Sequence, residues 1–386
     1  MKKVTAKVLV LGAVLLSTGA SFMWPINTIF IHTYLHKSLT VAGIVLFFNS
    51  LFSFFGNYVG GKMFDRLGGH KTAVINALIA IFALVGLIFN HSWPAFPILL
   101  PILGFGVGGS YTVVNSFVAH IEEADRYKVF NNIYVGSKIG SMIGTALCGF
   151  VVSVQISLVF VANCICLSIF LIVVIFLYGN RPEFIKKVEQ KARLFTLKLY
   201  PGIGLIALFL GLTWIVNSQW GSNISAHLTD IGIPIGKYSF LWTMNSLIVI
   251  VLMPLINHFA ENRDWFKKIQ IPVGVLFFIT ALISLINAKE YAAYAIGMVI
   301  LTLGEMLVNP AIPALVSETT PRNESGRYQS LVSMTGNFAK AIGPFLGGVL
   351  IENSSYNVLF LSAIMLLILS LGIFRVARKR LVAERV

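Results

Sequence analysis

"GGKMFDRLGGHKT", residues 60–72, sets Lys62, Asp65, Arg66, His70 and Lys71 among glycines. On both sides the chain is apolar for about 20 residues, the length that crosses roughly 30 Å of hydrocarbon as a helix. A knot of charge between two such runs reads as a short polar loop joining two membrane-spanning helices. Of the 386 residues, 57% are hydrophobic and only 11% charged, whereas a soluble domain is about a quarter charged. So few charges cannot cover a surface facing water, and the composition predicts lipid as the solvent.

The rest of the chain divides in the same way. Twelve apolar stretches lie near 8–33, 41–62, 73–90, 94–119, 129–152, 156–178, 202–226, 238–258, 270–287, 291–316, 329–351 and 356–375. None alternates in polarity over about ten residues, as barrel strands do. The start, "MKKVTAKVLVLGAVLLSTGASF", has the basic opening of a secretory signal. Its apolar run continues past Ala20 to Ile31, too long for a signal core, so it is expected to be the first span. Three of the 29 Lys and Arg residues, Lys37, Lys237 and Lys289, fall in loops opposite the N-terminus, and Lys138 and Lys340 fall within spans. All the others lie on the N-terminal side. This asymmetry predicts cytoplasmic termini and a multi-pass protein of the plasma membrane. It also accounts for the net charge of +14 without nucleic acid. Cys148, Cys164 and Cys166 sit in apolar spans without metal spacing and read as packing residues.

The longest polar interruption, residues 178–201, separates six spans from six. The expected domains are 1–180, a linker at 181–200, and 201–386. At an offset of about 200 the halves correspond. "LGFGVGG" from Leu103 faces "LGEMLVN" from Leu303, and "DRYKVF" from Asp125 faces "GRYQSL" from Gly326. "GSMIGTALCG" from Gly140 faces "AKAIGPFLGG" from Ala339. A duplicated six-helix unit is the build of many secondary transporters, with the substrate site near mid-membrane. The expected fold is all-α: twelve transmembrane helices in two pseudo-symmetric bundles, acting as a monomer in membrane lipid.

The opening stretch, Gly61-x-x-x-Asp65-Arg66-x-Gly68 followed by Lys71, resembles the loop signature of the major facilitator superfamily. Gly69 and His70 stand where that family commonly has two basic residues. The resemblance implies a conformational latch of Gly61, Asp65, Arg66, Gly68 and Lys71, with Arg126 in the same charge network and Asp65 facing the eleventh helix. A purely topogenic loop is the alternative. The glycines Gly140, Gly144 and Gly149, with Gly343, Pro344, Gly347 and Gly348, resemble the pattern of the twelve-helix drug:proton antiporters. Helix 5 lacks that family's proline, and Leu100 stands near its helix 4 arginine.

Glu305 is the one acidic residue inside an apolar stretch. At 1.5 Å per residue it lies roughly 20 Å from either end of its helix, beyond the reach of any side chain. Its burial costs at least about 2.5 kcal/mol, which marks it as functional by default, here as the proton-coupling group. An ion pair with Lys340 is the alternative. On helix 5, Asn131, Tyr134, Lys138, Ser141 and Thr145 share one face, opposite Gly136, Gly140 and Gly144. This points Lys138 to a wet cavity and the glycines to a neighbouring helix. Lys340 shares its face with Gly336, Gly343 and Gly347, so packing and substrate contact both suit it. Thr213, Asn217, Trp220, Asn223 and His227 form a stripe on helix 7 suited to an amphipathic solute, with His227 nearer the outer interface. Trp24 and Asn27 beside Pro25, and Tyr111 and Asn115, are further cavity candidates.

No phosphate-binding Gly-x-x-x-x-Gly-Lys appears, so ATP drive within this chain is not expected. No catalytic triad or carboxylate pair can be placed on one face, and no cofactor is implied. The expected partners are a small-molecule substrate and protons. Proton-coupled efflux of amphipathic compounds is the first expectation. Transport of a metabolite such as a sugar or organic anion, and lipid flipping, are the others.

Overall fold

A computed structural model describes residues 4–119, 123–178, 201–320 and 325–384. The expected linker 181–200 and its basic residues lie outside the described residues, and so does the side chain of Arg126. The described residues form twelve long helical segments and no strand. In chain order they are α1 (Ala6–Tyr34), α2 (Leu39–Leu67), α3 (Gly69–Phe89), α4 (Ala95–Ala119), α5 (Glu123–Val154), α6 (Leu158–Leu177) and α7 (Pro201–Asp230). There follow α8 (Ile235–Asn262), α9 (Asp264–Ile283), α10 (Tyr291–Thr319), α11 (Ser325–Asn353) and α12 (Tyr356–Glu384). Eleven are long and apolar enough to cross a membrane. The exception is α11, whose apolarity is lowered by Asn337, Lys340 and its glycines. Large apolar side chains stand exposed along the helices, Phe89 at 84% and Phe150 at 74%, as a lipid-facing surface requires.

The repeat read from the sequence reappears as a repeat of packing. In the first half α1 packs on α4, α5 and α6, while α3 packs on α4 and α6. In the second half α7 packs on α11 and α12, and α9 on α10 and α12. Trp220 completes the parallel by joining α7 to Gly297 of α10. The first helix of each half is also interrupted. In α1, Pro25 supplies no N–H and its ring disfavours continuation. The chain turns at residues 24–26 and ends in a π-helical stretch, Phe30–Tyr34. In α7 the interruption is a 3-10 turn, Ser218–Gly221. There the Ser218 hydroxyl donates to Ile215 O and the Ser222 hydroxyl to Ser218 O, side-chain bonds that compete with the helical ladder.

The chain forms two compact units. The first comprises residues 1–37, 44–190 and 232–247, and the second residues 38–43, 191–231 and 248–386. The opening turn of α2 therefore groups with the second unit, and the first half of α8 with the first.

Glycine faces make the closest crossings. Gly136 and Gly140 of α5 lie on Val10 and Val14 of α1, and Gly144 on Thr18 and Ser21. In the second unit Gly336 seats Trp214, and Gly343 and Gly347 lie on Ser218, Gln219 and Asn223 of α7. Buried amides use the same device. Asn76 donates to Thr72 O at 2.8 Å, while its Oδ1 fills the space a Cβ on Gly109 would need. Asn163 Oδ1 does the same at Gly19. Neither oxygen has a hydrogen-bond partner among the described residues, and contact with a glycine Cα–H compensates in part.

Candidate functional site

The stretch expected to be a polar loop is helical except at Gly68, which alone separates α2 from α3. Gly68 has φ +83° and ψ 159°, a conformation that favours glycine. Its carbonyl accepts from the Thr72 amide and hydroxyl, at 3.2 and 2.8 Å, and so starts α3. Gly61 is not where α2 approaches a neighbouring helix most closely. A methyl group there would meet only Thr112 Cγ2 at 3.8 Å. The close approach is at Gly60, where a methyl would come within 2.9 Å of Gly109 Cα, and at Gly56, where it would strike the Phe105 carbonyl. Gly60→Ala should therefore cost about 1–3 kcal/mol by overpacking. Gly61→Ala should be neutral or stabilise by roughly 0.5–1 kcal/mol through helix propensity. Thermal unfolding of the two variants in detergent separates these outcomes.

The two residues that depart from the family loop have structural roles. Gly69 leaves room for the rings of Phe64 and Phe117. His70 Nδ1–H donates to Tyr178 O at 2.9 Å, tying the start of α3 to the end of α6. Asp65 and Arg66 are exposed.

In the first unit, the Tyr111 and Ser17 hydroxyls are hydrogen-bonded at 3.0 Å, linking α4 to α1. Asn115, Asn131 and Tyr134 are exposed, and Lys138 is half-buried. The glycine face of α5 is turned to α1, so Lys138 lies on the face that sequence spacing assigned it. Thr145 is buried, donating to Ser141 O at 2.9 Å and paired with Thr243 at 2.9 Å. Trp24 stands edge-on to Trp242, with centroids 4.3 Å apart, and Trp242 Nε1–H donates to the Tyr238 hydroxyl. Asn27 is buried and belongs to the interrupted part of α1 rather than to an exposed wall. Sequence reading missed the Thr112–Asn57 hydrogen bond, 2.9 Å, which places two further polar groups on α4 and α2. Asn57 is polar within an otherwise aromatic run of α2, and that contrast was the available signal.

In the second unit Glu305 is half-buried on α10 and Lys340 exposed on α11. The Lys340 ammonium lies 5.2 Å from the centroid of Trp214, within range of the ring's negative face. Asn217 is buried, its Oδ1 without a hydrogen-bond partner among the described residues. Trp220 requires correction as a cavity residue. It is 0% exposed and packs against Gly297, where an added Cβ would lie 3.1 Å from its ring. The 3-10 turn breaks the regular helical spacing on which its face was inferred. Trp214, three residues before Asn217, is the α7 aromatic that meets Lys340. Gln219 Nε2–H donates to Gly343 O at 2.8 Å and Asn223 Nδ2–H to Pro344 O at 3.0 Å. These amides brace α11 around its proline. His227 stacks on Tyr356, with centroids 3.9 Å apart, at the end of α7. Among the described residues no cluster of His, Cys, Asp or Glu could hold a metal ion.

Comparison with known proteins gives the following. The profile of the Major Facilitator Superfamily matches residues 9–339 and 275–385. An uncharacterised MFS-type transporter of Bacillus subtilis, YttB, is 37% identical over 384 residues, covering 97% of this chain and 95% of the relative. Among solved structures, the POT family transporter PepTSo superposes with a TM-score of 0.76 at 14% identity, covering 98% of this chain and 99% of that one. The nucleoside transporter NupG does so with a TM-score of 0.75 at 12% identity, covering 98% and 99%.

Proposed function

The chain belongs to the Major Facilitator Superfamily, and from that premise we propose that it exports amphipathic small molecules in exchange for protons. The superfamily is one of secondary transporters and not of enzymes, so the chain is a multi-pass membrane transporter of small molecules, consistent with the plasma membrane. Glu305 carries the proton-coupled part of the proposal. It is a carboxyl group roughly 20 Å from either end of α10, in the same unit as the Lys340–Trp214 pair. A proton-coupling carboxyl must face a wet environment in one access state and a dry one in another. Alternating access supplies that change.

Lys138, Lys340, Trp214, Tyr111 and Tyr134 supply cationic and aromatic surfaces to a solute. Asp65, Arg66, Lys71 and Arg126 form the latch at the cytoplasmic face, and both termini lie on that side. The bundles 1–180 and 201–386 are the moving bodies.

One observation favours a second reading. Two lysines stand at mid-depth against one acid, which suits an anionic or neutral metabolite better than a cationic drug. Two of the fold's solved relatives are named for peptide and nucleoside transport.

Uptake and efflux by everted vesicles, under an imposed pH gradient and with cationic, neutral and anionic solutes, decide between the readings. Gradient-driven extrusion of amphipathic solutes supports antiport, and accumulation of a single anionic metabolite class supports the second. For Lys138→Gln the expected result is a roughly tenfold rise in apparent KM, the value of one lost charged hydrogen bond. Lys138→Arg should be milder. An unchanged KM in both variants removes Lys138 from the substrate surface.

A further inference from the structure

Glu352, one residue before the end of α11, reaches the opening turn of α2. Thr40 N–H donates to its Oε1 at 2.8 Å, and the Thr40 hydroxyl to its Oε2 at 2.7 Å. A helix start presents N–H groups without intrahelical partners and a partial positive charge. Ser38 Oγ takes one of these, accepting from Val41 N–H at 3.2 Å, and Glu352 takes the next. The backbones beneath are in close contact: a methyl on Gly348 would lie 2.7 Å from the Leu39 carbonyl carbon, and one on Gly43 2.9 Å from that of Pro344. Residues 38–43 accordingly group with the second unit, while residues 44–67 of the same helix group with the first. Glu352 is exposed, so protons reach it directly from water.

We propose that Glu352 is a second proton-responsive site, separate from Glu305, whose ionised carboxylate holds the first turn of α2 on α11 and whose protonation releases it. The carboxylate accepts two hydrogen bonds, and once protonated it keeps only part of that capacity. Desolvation pushes its pKa up, but hydrogen bonds from Thr40, Ser38 and Leu39 outweigh this and leave it lowered. The hold is therefore complete above the ordinary carboxylate range and is lost as pH falls through the lowered value. Titratable groups of the flanking segments have contacts of their own. Lys37 lies over Trp93 at 4.9 Å, and His32 Nδ1–H donates to Lys37 O. The Tyr356 hydroxyl donates to Asp230, and His227 stacks on Tyr356. His36, at φ +50°, precedes the turn.

The test is a spin-label distance between Val41→Cys and Asn353→Cys in a chain whose three cysteines are replaced, at pH 7.5 and in steps down through pH 4 to about pH 3, below the ordinary carboxylate range. The expected result is one short distance at pH 7.5 and a longer component that grows over the acid steps. Glu352→Gln should show the long component at pH 7.5, with the closed-to-open ratio reduced about tenfold, and no further response to acid. Thr40→Val, which removes a donor from the other side, should also show it. Size-exclusion elution and circular dichroism establish that each variant is folded. The proposal is overturned if the parent distance ignores pH, or if Glu352→Gln keeps the parent's distances or its acid response. Because no substrate is involved, the same response in a Glu305→Gln background separates this proposal from the transport reading.

Discussion

Glu305→Gln is expected to reduce proton-driven transport to the level of empty vesicles while leaving substrate binding and counterflow measurable. Glutamine matches the shape and hydrogen bonding of the protonated acid but cannot release a proton, so the cycle lacks a group that is neutral in one access state and charged in another. No other acid lies inside an apolar stretch of the sequence. Asp65 is exposed in the last turn of α2, and Glu352 is exposed at the end of α11. Glu122, Glu123 and Asp125 are sequence neighbours of the α4–α5 loop. A substitute must sit where access to water alternates, and only Glu305 is acidic within an apolar stretch. The measurement is solute flux against a pH gradient in proteoliposomes, beside counterflow without one. Full gradient-driven flux in Glu305→Gln would make the chain a uniporter or one coupled to another ion.

Gly140→Leu should damage the fold severely. Any Cβ at Gly140 strikes the Val14 carbonyl and comes within 3.1 Å of Thr18 Oγ1. A backbone atom cannot move aside as a flexible side chain can, so the cost lies at or above the upper end of overpacking, about 3 kcal/mol. Separation of α5 from α1 would also remove the dispersion contacts that stand in for a hydrophobic drive in lipid. The expected outcome is loss of folded protein in detergent, read as aggregation on size exclusion, where Gly61→Ala gives the parent profile. A Gly140→Leu protein with unchanged melting would mean that α1 and α5 are not held by this face.

Much of this architecture was legible because lipid imposes a simple rule. Every backbone polar group must be satisfied within its own segment, so spans appear as long apolar runs that any reader can mark. The glycine face of α5 was equally plain, since Gly136, Gly140 and Gly144 recur at helical spacing and have no other use in a span. The errors arose where the helix stops being regular. Regular helical spacing puts Trp220 on the cavity stripe with Thr213 and Asn217, but the chain tightens to 3-10 geometry at Ser218–Gly221. The motif marks Gly61 whereas the close approach is at Gly60, because a motif names a position but not the direction in which that position faces.

The amides seated on glycines carry a consequence for how such a sequence can drift. Asn163 and Gly19, like Asn76 and Gly109, fill a single volume jointly. A larger residue in place of the glycine collides with the amide, and a smaller one in place of the asparagine opens a void in a dehydrated interior. Each pair is thus a two-letter word whose letters are far apart in the text, and a viable respelling changes both letters together.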